Sequence, residues 1–185
     1  MKINKLPIKG AFHIENSNIT DSRGSFIRVF CQKELLSILG KRKIEQINIS
    51  STKLKGAIRG MHMQKKPKSE MKIIHCIKGK VFDVIIDLRH NSKTYLKWHS
   101  LILSKRKNST LIIPEGCAHG FQALENSSSL IYFHTEFYSP KLELGFNYKD
   151  PVFNIDWPLS VTSISKKDKS YKFINIKTSN ALQTL

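Results

Sequence analysis

The sequence predicts a mainly β protein, a sandwich or barrel of short antiparallel strands with a few short helices. Between Lys72 and Phe137, short runs rich in Val, Ile, Phe, Tyr and Thr alternate with separators that contain Gly, Pro, Asn and Ser. Strands this short and this regularly spaced are typical of sandwiches and barrels rather than of parallel βαβ folds. With 185 residues, 40% of them hydrophobic, and no internal linker or repeat, the chain is predicted to form one domain over residues 1–185.

Glycine, proline and polar residues separate the predicted elements along the chain. The segment "SRGSFIRVF" (22–30) is predicted as a strand, and "QKELLSILG" (32–40) as a helix that Gly40 ends. Six further strands are predicted in the runs "KIIHCI", "VFDVIIDL", "WHSLIL", "STLIIP", "GFQAL" and "SLIYFHTEF". Residues 160–185 are polar and rich in Lys, Ser and Thr, and we predict an irregular C-terminal segment there.

Composition limits the classes of protein to which the chain can belong. The net charge is +17, which attracts anionic partners such as nucleic acids or phosphorylated small molecules. The lysines are scattered and no zinc-finger, basic-zipper or RRM pattern occurs, so nucleic acid is not the expected partner. The three cysteines are widely spaced and lack a C-x-x-C pair, which argues against a disulfide framework or a Cys-rich zinc site.

The hydropathy of the chain argues against a membrane protein. No apolar run approaches the length of a membrane span. The opening residues "MKINKLPIKGAFHIENS" alternate charged and apolar residues without a continuous apolar region. We therefore expect no signal peptide and a cytoplasmic location.

Two histidines lie in short glycine-containing segments near predicted strand ends. His119 belongs to "IIPEGCAHGF" (112–121), and His62 belongs to "GAIRGMHMQ" (56–64). Each could be a structural residue on its own, but strands that fold back would bring both to one mouth of a barrel, a favoured ligand site. The pair resembles the two motifs of the cupin superfamily, whose fold is a double-sheet jelly roll.

A metal-binding cupin would carry a second histidine at Gln64. A site made of His62, Glu70 and His119 could still form, but metals normally require three or four ligands placed together. The sequence therefore predicts no metal, and a metal-dependent cupin enzyme stays open as an alternative.

Seven segments between Asp21 and Asp168 together resemble the dTDP-4-dehydrorhamnose 3,5-epimerase family. They are "DSRGSF" (21–26), "QINIS" (46–50), "IRGMHMQ" (58–64), "MKIIHCIKGKVFDVIIDLR" (71–89), "IPEGCAHGF" (113–121), "DPVFNIDWP" (150–158) and "SKKD" (165–168). The resemblance implies an isomerase that inverts C3, C5 or both in a dTDP-4-keto-6-deoxyhexose during rhamnose-type deoxysugar biosynthesis. It further implies a homodimer that needs no metal or redox cofactor.

The resemblance also assigns a catalytic role to each of four residues. His62 stands where the family places its base, Asp168 where it places the carboxylate that partners the base, and Tyr132 where it places the acid across the sugar. Lys72 matches the cation beside the keto oxygen, where negative charge develops. The residues alone would suggest less: "SKKDKSYK" resembles a solvated tail, and Tyr132 one more aromatic residue in a strand.

The remaining candidates are implied substrate-binding residues. Arg59, His119 and Tyr138 match residues around the mouth of the site. Arg23 matches a residue that grips the pyrophosphate, and its guanidinium fork suits phosphate oxygens. The positions that face the nucleotide in the family are Phe26, Gln46 and Asn48. Because the family's N-terminal strands pair across a dimer, Arg23 can serve the neighbouring subunit's site.

Four positions depart from the family pattern. Arg28 replaces a glutamate, Met63 and Phe133 replace a tyrosine and a lysine, and Met71 replaces a glycine. Arg28 is therefore a candidate phosphate contact that weakens preference for thymine, or a solvent-exposed side chain of a basic protein. Two further alternatives stay open: an epimerase acting on one carbon of another nucleotide sugar, and a non-catalytic basic binding protein.

Overall fold

The computed structural model describes residues 1–175, which form a mainly β fold with two short α-helices. The strands are β1 (Lys2–Lys5), β2 (Phe12–Glu15), β3 (Asn18–Asp21), β4 (Gly24–Ile27), β5 (Gln46–Thr52), β6 (Ile58–Gln64), β7 (Lys72–Lys78), β8 (Lys80–Asp87), β9 (Trp98–Ser104), β10 (Ser109–Ile113), β11 (Cys117–Ala123), β12 (Ser128–His134) and β13 (Glu143–Gly145). The helices are α1 (Leu36–Leu39), α2 (Lys166–Ser170) and a 3-10 turn, Lys105–Lys107.

The strands form two antiparallel sheets and a separate hairpin. The larger sheet has the order β1-β2-β10-β7-β12-β5, and the smaller one has the order β13-β6-β11-β8-β9. The hairpin consists of β3 and β4. Two antiparallel sheets with crossover connections make the double-sheet jelly roll that the sequence predicted, so the fold-class prediction is confirmed.

The facing sides of the two sheets enclose the central core. Ile74 and Leu130 of the larger sheet belong to one apolar cluster with Ile85 and Phe121 of the smaller sheet. Because side chains alternate along a strand, every second residue of these strands points between the sheets. The same alternation places the polar residues of the site in the interior, as described below.

Short helical and irregular segments cover the outer sides of both sheets. Leu35 and Leu39, in and just before α1, pack with Ile73 and Phe133 on the larger sheet. Aromatic residues of the C-terminal third, among them Phe146, Phe153 and Trp157, pack against the outer side of the smaller sheet. The C-terminal segment therefore crosses the sheet that carries His62, and this path brings α2 to the site.

The predicted element boundaries needed three corrections. The helix predicted over 32–40 is helical only over α1, although Gly40 ends it in a positive-φ conformation as predicted. The strand predicted over 22–30 stops at Ile27, because it pairs only with β3 and not with the main sheets. The predicted irregular segment contains α2, and its residues 176–185 lie outside the described part of the chain.

No helix within residues 1–175 is long and apolar enough to cross a membrane.

Candidate active site

A cavity of about 890 Å³ opens between the two sheets. Its walls come from inward-facing residues of β5, β6, β7, β11 and β12, and α2 closes one side. Eight of the predicted site residues line it: Asn48, Arg59, His62, Lys72, His119, Tyr132, Tyr138 and Asp168. This size and this mixture of apolar and polar walls suit a small organic ligand.

His62 and Asp168 form a hydrogen-bonded imidazole–carboxylate pair at the edge of the cavity. His62 Nε2 lies 2.7 Å from Asp168 Oδ1, and the backbone N–H of Gly60 donates to Asp168 Oδ2 at 3.3 Å. Burial alone would raise the pKa of Asp168, but its hydrogen bond with His62 and the adjacent donors hold that pKa below its ordinary value. An ionised Asp168 fixes the proton on His62 Nε2, which leaves Nδ1 as the atom that can accept a proton.

Tyr132 occupies the opposite sheet. Its ring packs against the central core and meets His119 edge-on, with ring centroids 5.8 Å apart. Burial of the hydroxyl, together with the charge of Asp83, raises the pKa of Tyr132 well above its ordinary value. The hydroxyl is therefore protonated at neutral pH and can act as an acid towards a carbanion.

Lys72 extends the site along β7, the neighbour of β12. Its side chain is 9% exposed, and Nζ donates to the backbone oxygen of His62 at 3.2 Å. Glu70 Oε1 lies 3.3 Å from the same nitrogen and supplies the counter-charge. A positively charged donor beside the base is positioned to stabilise negative charge that develops on a substrate oxygen.

The cavity wall contains two further imidazole–carboxylate pairs. His119 Nε2 lies 2.9 and 3.0 Å from the two oxygens of Asp83, which is fully buried. Burial raises the pKa of Asp83 against the opposing effect of His119. His134 Nδ1 lies 2.6 Å from Glu70 Oε2.

Sequence reasoning did not identify Asp83 or His134, and it considered Glu70 only as a possible metal ligand. A signal for them was present, because His134 follows Tyr132 by two positions in one predicted strand and Asp83 interrupts the apolar run "VFDVIIDL". Tyr132 and His134 are two positions apart on one strand, so their side chains share the face that points into the interior.

The trio that could have formed a cupin metal site does not come together as one. His62 is bonded to Asp168, His119 to Asp83, and Glu70 to His134 and Lys72. Over residues 1–175, no three His, Cys, Asp or Glu side chains converge in a way that could hold a metal ion. The geometry therefore favours proton transfer by separate pairs over a shared ligand set.

Polar residues complete the rim of the cavity. Arg59 donates to Thr52 Oγ1 and to the backbone oxygen of Ser51, both at 3.0 Å, so its guanidinium is fixed against β5. Tyr138 is 54% exposed and its hydroxyl donates to Glu143 Oε2 at 2.8 Å. Exposed, oriented groups of this kind can contact a ligand without moving first.

Three predicted nucleotide contacts, Arg23, Phe26 and Gln46, do not line the cavity within one chain. Arg23 pairs with Asp21 in the hairpin, and Phe26 is 65% exposed. Gln46 accepts a hydrogen bond from the backbone N–H of Tyr138 at 2.8 Å. Within residues 1–175, the strands of the hairpin pair only with each other and join neither main sheet.

The sequence left two roles open for Arg28, a phosphate contact or a solvent-exposed side chain. Arg28 lies beyond the end of β4, and its Nη1 donates to Glu34 Oε1 at 2.7 Å. The side chain is 59% exposed, and its charge is offset by that carboxylate. Within the chain, Arg28 is therefore an exposed ion-pair partner rather than a wall of the cavity.

Comparison with known proteins connects this geometry to one family. A family model described as dTDP-4-dehydrorhamnose 3,5-epimerase matches residues 5–175. A protein of that name from Shigella flexneri is 36% identical over 95% of this chain and 97% of its own length. A dTDP-4-dehydrorhamnose 3-epimerase from Streptomyces niveus is 31% identical over 91% of this chain and 82% of its own.

A solved structure is similar over nearly the whole chain. It is the dTDP-6-deoxy-D-glucose-3,5-epimerase of Legionella pneumophila in complex with dTDP-4-keto-L-rhamnose, which superposes with a TM-score of 0.90 at 34% identity. The similarity covers 98% of this chain and 96% of that one. Sequence and fold thus agree over the strands that build the cavity.

Proposed function

The chain belongs to the dTDP-4-dehydrorhamnose 3,5-epimerase family, and we propose that its substrate is a dTDP-4-keto-6-deoxyhexose that it inverts at C3 and C5. The protein is an isomerase of the deoxysugar pathway, and we place its action in the cytoplasm. The observation that carries the proposal is the placement of an imidazole base and a protonated tyrosine on facing sheets of one cavity. A proton can then leave one face of a sugar and return to the other.

Each inversion is a pair of proton transfers without net oxidation, so inversion at C3 and C5 requires two such pairs. His62 Nδ1 takes the proton from the carbon beside the keto group, and the electron pair of that C–H bond moves into an enolate. Lys72 offsets the negative charge on the enolate oxygen. Tyr132 then delivers a proton to the carbon from the opposite face, and the keto group re-forms.

Product analysis tests this proposal. Purified protein is incubated with dTDP-4-keto-6-deoxyglucose, the product is reduced, and the configuration at each ring carbon is assigned by proton NMR coupling constants. Inversion at C3 and C5 supports the proposal. Inversion at C3 alone would support the second candidate, a 3-epimerase, which similarity to the Streptomyces niveus protein favours. An unchanged sugar would refute both.

A homodimer that shares residues between its sites explains the exposed N-terminal hairpin. Ile19 of the hairpin and Ile47 and Ile49 of β5 are 67%, 56% and 63% exposed, and exposed apolar side chains of this kind often mark protein interfaces. We propose that they are covered in a dimer, in which Arg23 reaches the partner's cavity and binds the pyrophosphate.

Mixing two inactive variants tests the shared site. Arg23→Ala and His62→Ala are each expected to be inactive, but co-refolded mixtures should regain about a quarter of parental activity. Half of the randomly formed dimers would contain one chain of each variant, and one of the two sites in each mixed dimer would be complete. The control is a mixture of His62→Ala with Asp168→Asn, which lie in the same site and should restore nothing if both act within one chain. Absence of any recovery in the first mixture would place Arg23 outside the partner's site.

Exhaustive chelation tests the absence of metal from the mechanism. Because the proposed base, acid and cation are all side chains, activity after dialysis against a strong chelator should equal that of untreated protein. The measurement is the initial epimerisation rate, with metal content checked by elemental analysis. Loss of activity that a divalent ion restores would contradict the proposal and favour a metal-dependent enzyme.

A further inference from the structure

Glu70 is shared between two partners at the inner wall of the cavity. Its Oε1 lies 3.3 Å from Lys72 Nζ, and its Oε2 lies 2.6 Å from His134 Nδ1. The side chains of Glu70, Lys72 and His134 are 8%, 9% and 12% exposed, so all three interact largely away from solvent. Each carboxylate oxygen therefore has one specific cationic or donor partner.

The strand register explains why these side chains meet. Lys72 of β7 and His134 of β12 are directly opposed residues, so their side chains share the inward face. His134 also lies parallel to Tyr132, with ring centroids 5.9 Å apart. The Glu70–His134 pair thus lies between the proposed acid and the proposed enolate-stabilising cation.

A buried ammonium needs such a carboxylate. Burial disfavours the charged form of lysine, and an opposite charge within a few ångströms restores it. Burial by itself would raise the pKa of Glu70, but the hydrogen bond from His134 and the charge of Lys72 outweigh it and lower that pKa. Glu70 is thus ionised where Lys72 requires a counter-charge.

We propose that Glu70 and His134 are positioning residues for Lys72: Glu70 keeps the ammonium charged and directed at the substrate oxygen, and His134 holds Glu70 in place. This inference rests on the proposed function for its catalytic consequence, though not for the effect on Lys72 itself. Neither residue is assigned a contact with substrate. His134 presents Nδ1 to Glu70, and its Nε2 lies 3.4 Å from Asn48 Nδ2.

Other titratable groups face this part of the cavity and must be separated from Glu70 in any pH experiment. They are Arg59 and His62 from β6, His119 from β11, Tyr132 and His134 from β12, Glu143 from β13, and Lys167 and Asp168 from α2. Because Glu70→Gln also changes the surroundings of His134, the rate profile is interpreted together with the His134 variants and with direct titration of Lys72.

The first test compares Glu70→Gln with a matched control, Glu136→Gln. Glu136 pairs with Lys68 at 2.9 Å and lies outside the cavity lining, so its substitution removes a lysine partner of the same chemistry elsewhere. Relative to the parent, kcat of Glu70→Gln should fall by at least about tenfold between pH 7 and pH 9, as the unpaired ammonium loses its proton. Glu136→Gln should follow the parent. A Glu70→Gln profile parallel to that of the parent would overturn the proposal.

A second test asks whether His134 acts through Glu70. If it does, Glu70→Gln/His134→Ala should be no slower than Glu70→Gln alone, within about twofold. If the two effects multiply instead, His134 contributes independently and the proposed arrangement is wrong.

A third measurement does not depend on turnover. Protein labelled with carbon-13 at lysine Cε is titrated by NMR, and the Lys72 resonance is assigned with Lys72→Arg. The Lys72 resonance should titrate at lower pH in Glu70→Gln, or in His134→Ala if the first variant does not fold, than in the parent. An unchanged midpoint would overturn the proposal even if the enzyme is active, whereas a shifted midpoint in a protein without epimerase activity would reject only the proposed function.

Discussion

Replacing His62 with alanine is expected to reduce epimerisation by at least about a thousandfold and to abolish exchange of the sugar C3 and C5 protons with solvent. The reason is geometric: Asp168 occupies Nε2 of His62, so Nδ1 of the same ring is the proposed proton acceptor. His119 and His134 also line the cavity, but their side chains are only 6% and 12% exposed, against 31% for His62. Neither is expected to substitute for His62.

His62→Asn is the matched variant for this prediction. An asparagine keeps a polar side chain of similar width at this position while it lacks a basic nitrogen, so folding should be retained and catalysis lost. Thermal unfolding and calorimetric binding of dTDP should resemble those of the parent for both variants. If either variant exchanges the C3 and C5 protons at close to the parental rate, His62 is not the base.

Tyr132→Phe is expected to separate proton removal from inversion. The substitution deletes one hydroxyl and keeps the ring that packs against the core and His119. His62 can still form the enolate, but the proton can return only from the face that His62 occupies. Inversion should therefore fall by at least about a hundredfold, while deuterium from solvent still enters the starting sugar.

The comparison that checks this prediction is made on one sample. NMR of the recovered sugar in D2O gives the deuterium content at C3 and C5, and coupling constants give the configuration at the same carbons. Phe133→Leu is a suitable control, because Phe133 is the next residue of β12 and faces the outer side of the sheet. A Tyr132→Phe enzyme that inverts at the parental rate would show that another group is the acid.

The positions of the strands could be predicted largely because strand and turn residues differ in composition. The runs that became β7, β8 and β12 combine β-branched residues with separators such as Gly79, and these features act locally. The helix predicted over 32–40 was too long. The length of α1 is determined by the packing of Leu35 and Leu39 on the larger sheet rather than by helix propensity. Tertiary contacts of this kind leave no local pattern.

The site was predictable only in part, for a related reason. Histidine and tyrosine positions could be assigned by resemblance, whereas the hydrogen bonds of His119 to Asp83 and of His134 to Glu70 connect strands that are distant in sequence. Arg28 shows the same limit, since the sequence does not reveal its pairing with Glu34. Partner identity is a property of register and chain path, which one sequence does not display.

The most direct test of proton transfer by facing residues is the reaction of the parent protein with dTDP-4-keto-6-deoxyglucose in D2O, followed by NMR and mass spectrometry. If His62 and Tyr132 act as proposed, every inverted carbon in the product should carry a deuteron from solvent. Inverted product that retains its original protons at C3 and C5 would contradict the account, because the proton would then never have left the substrate for the protein.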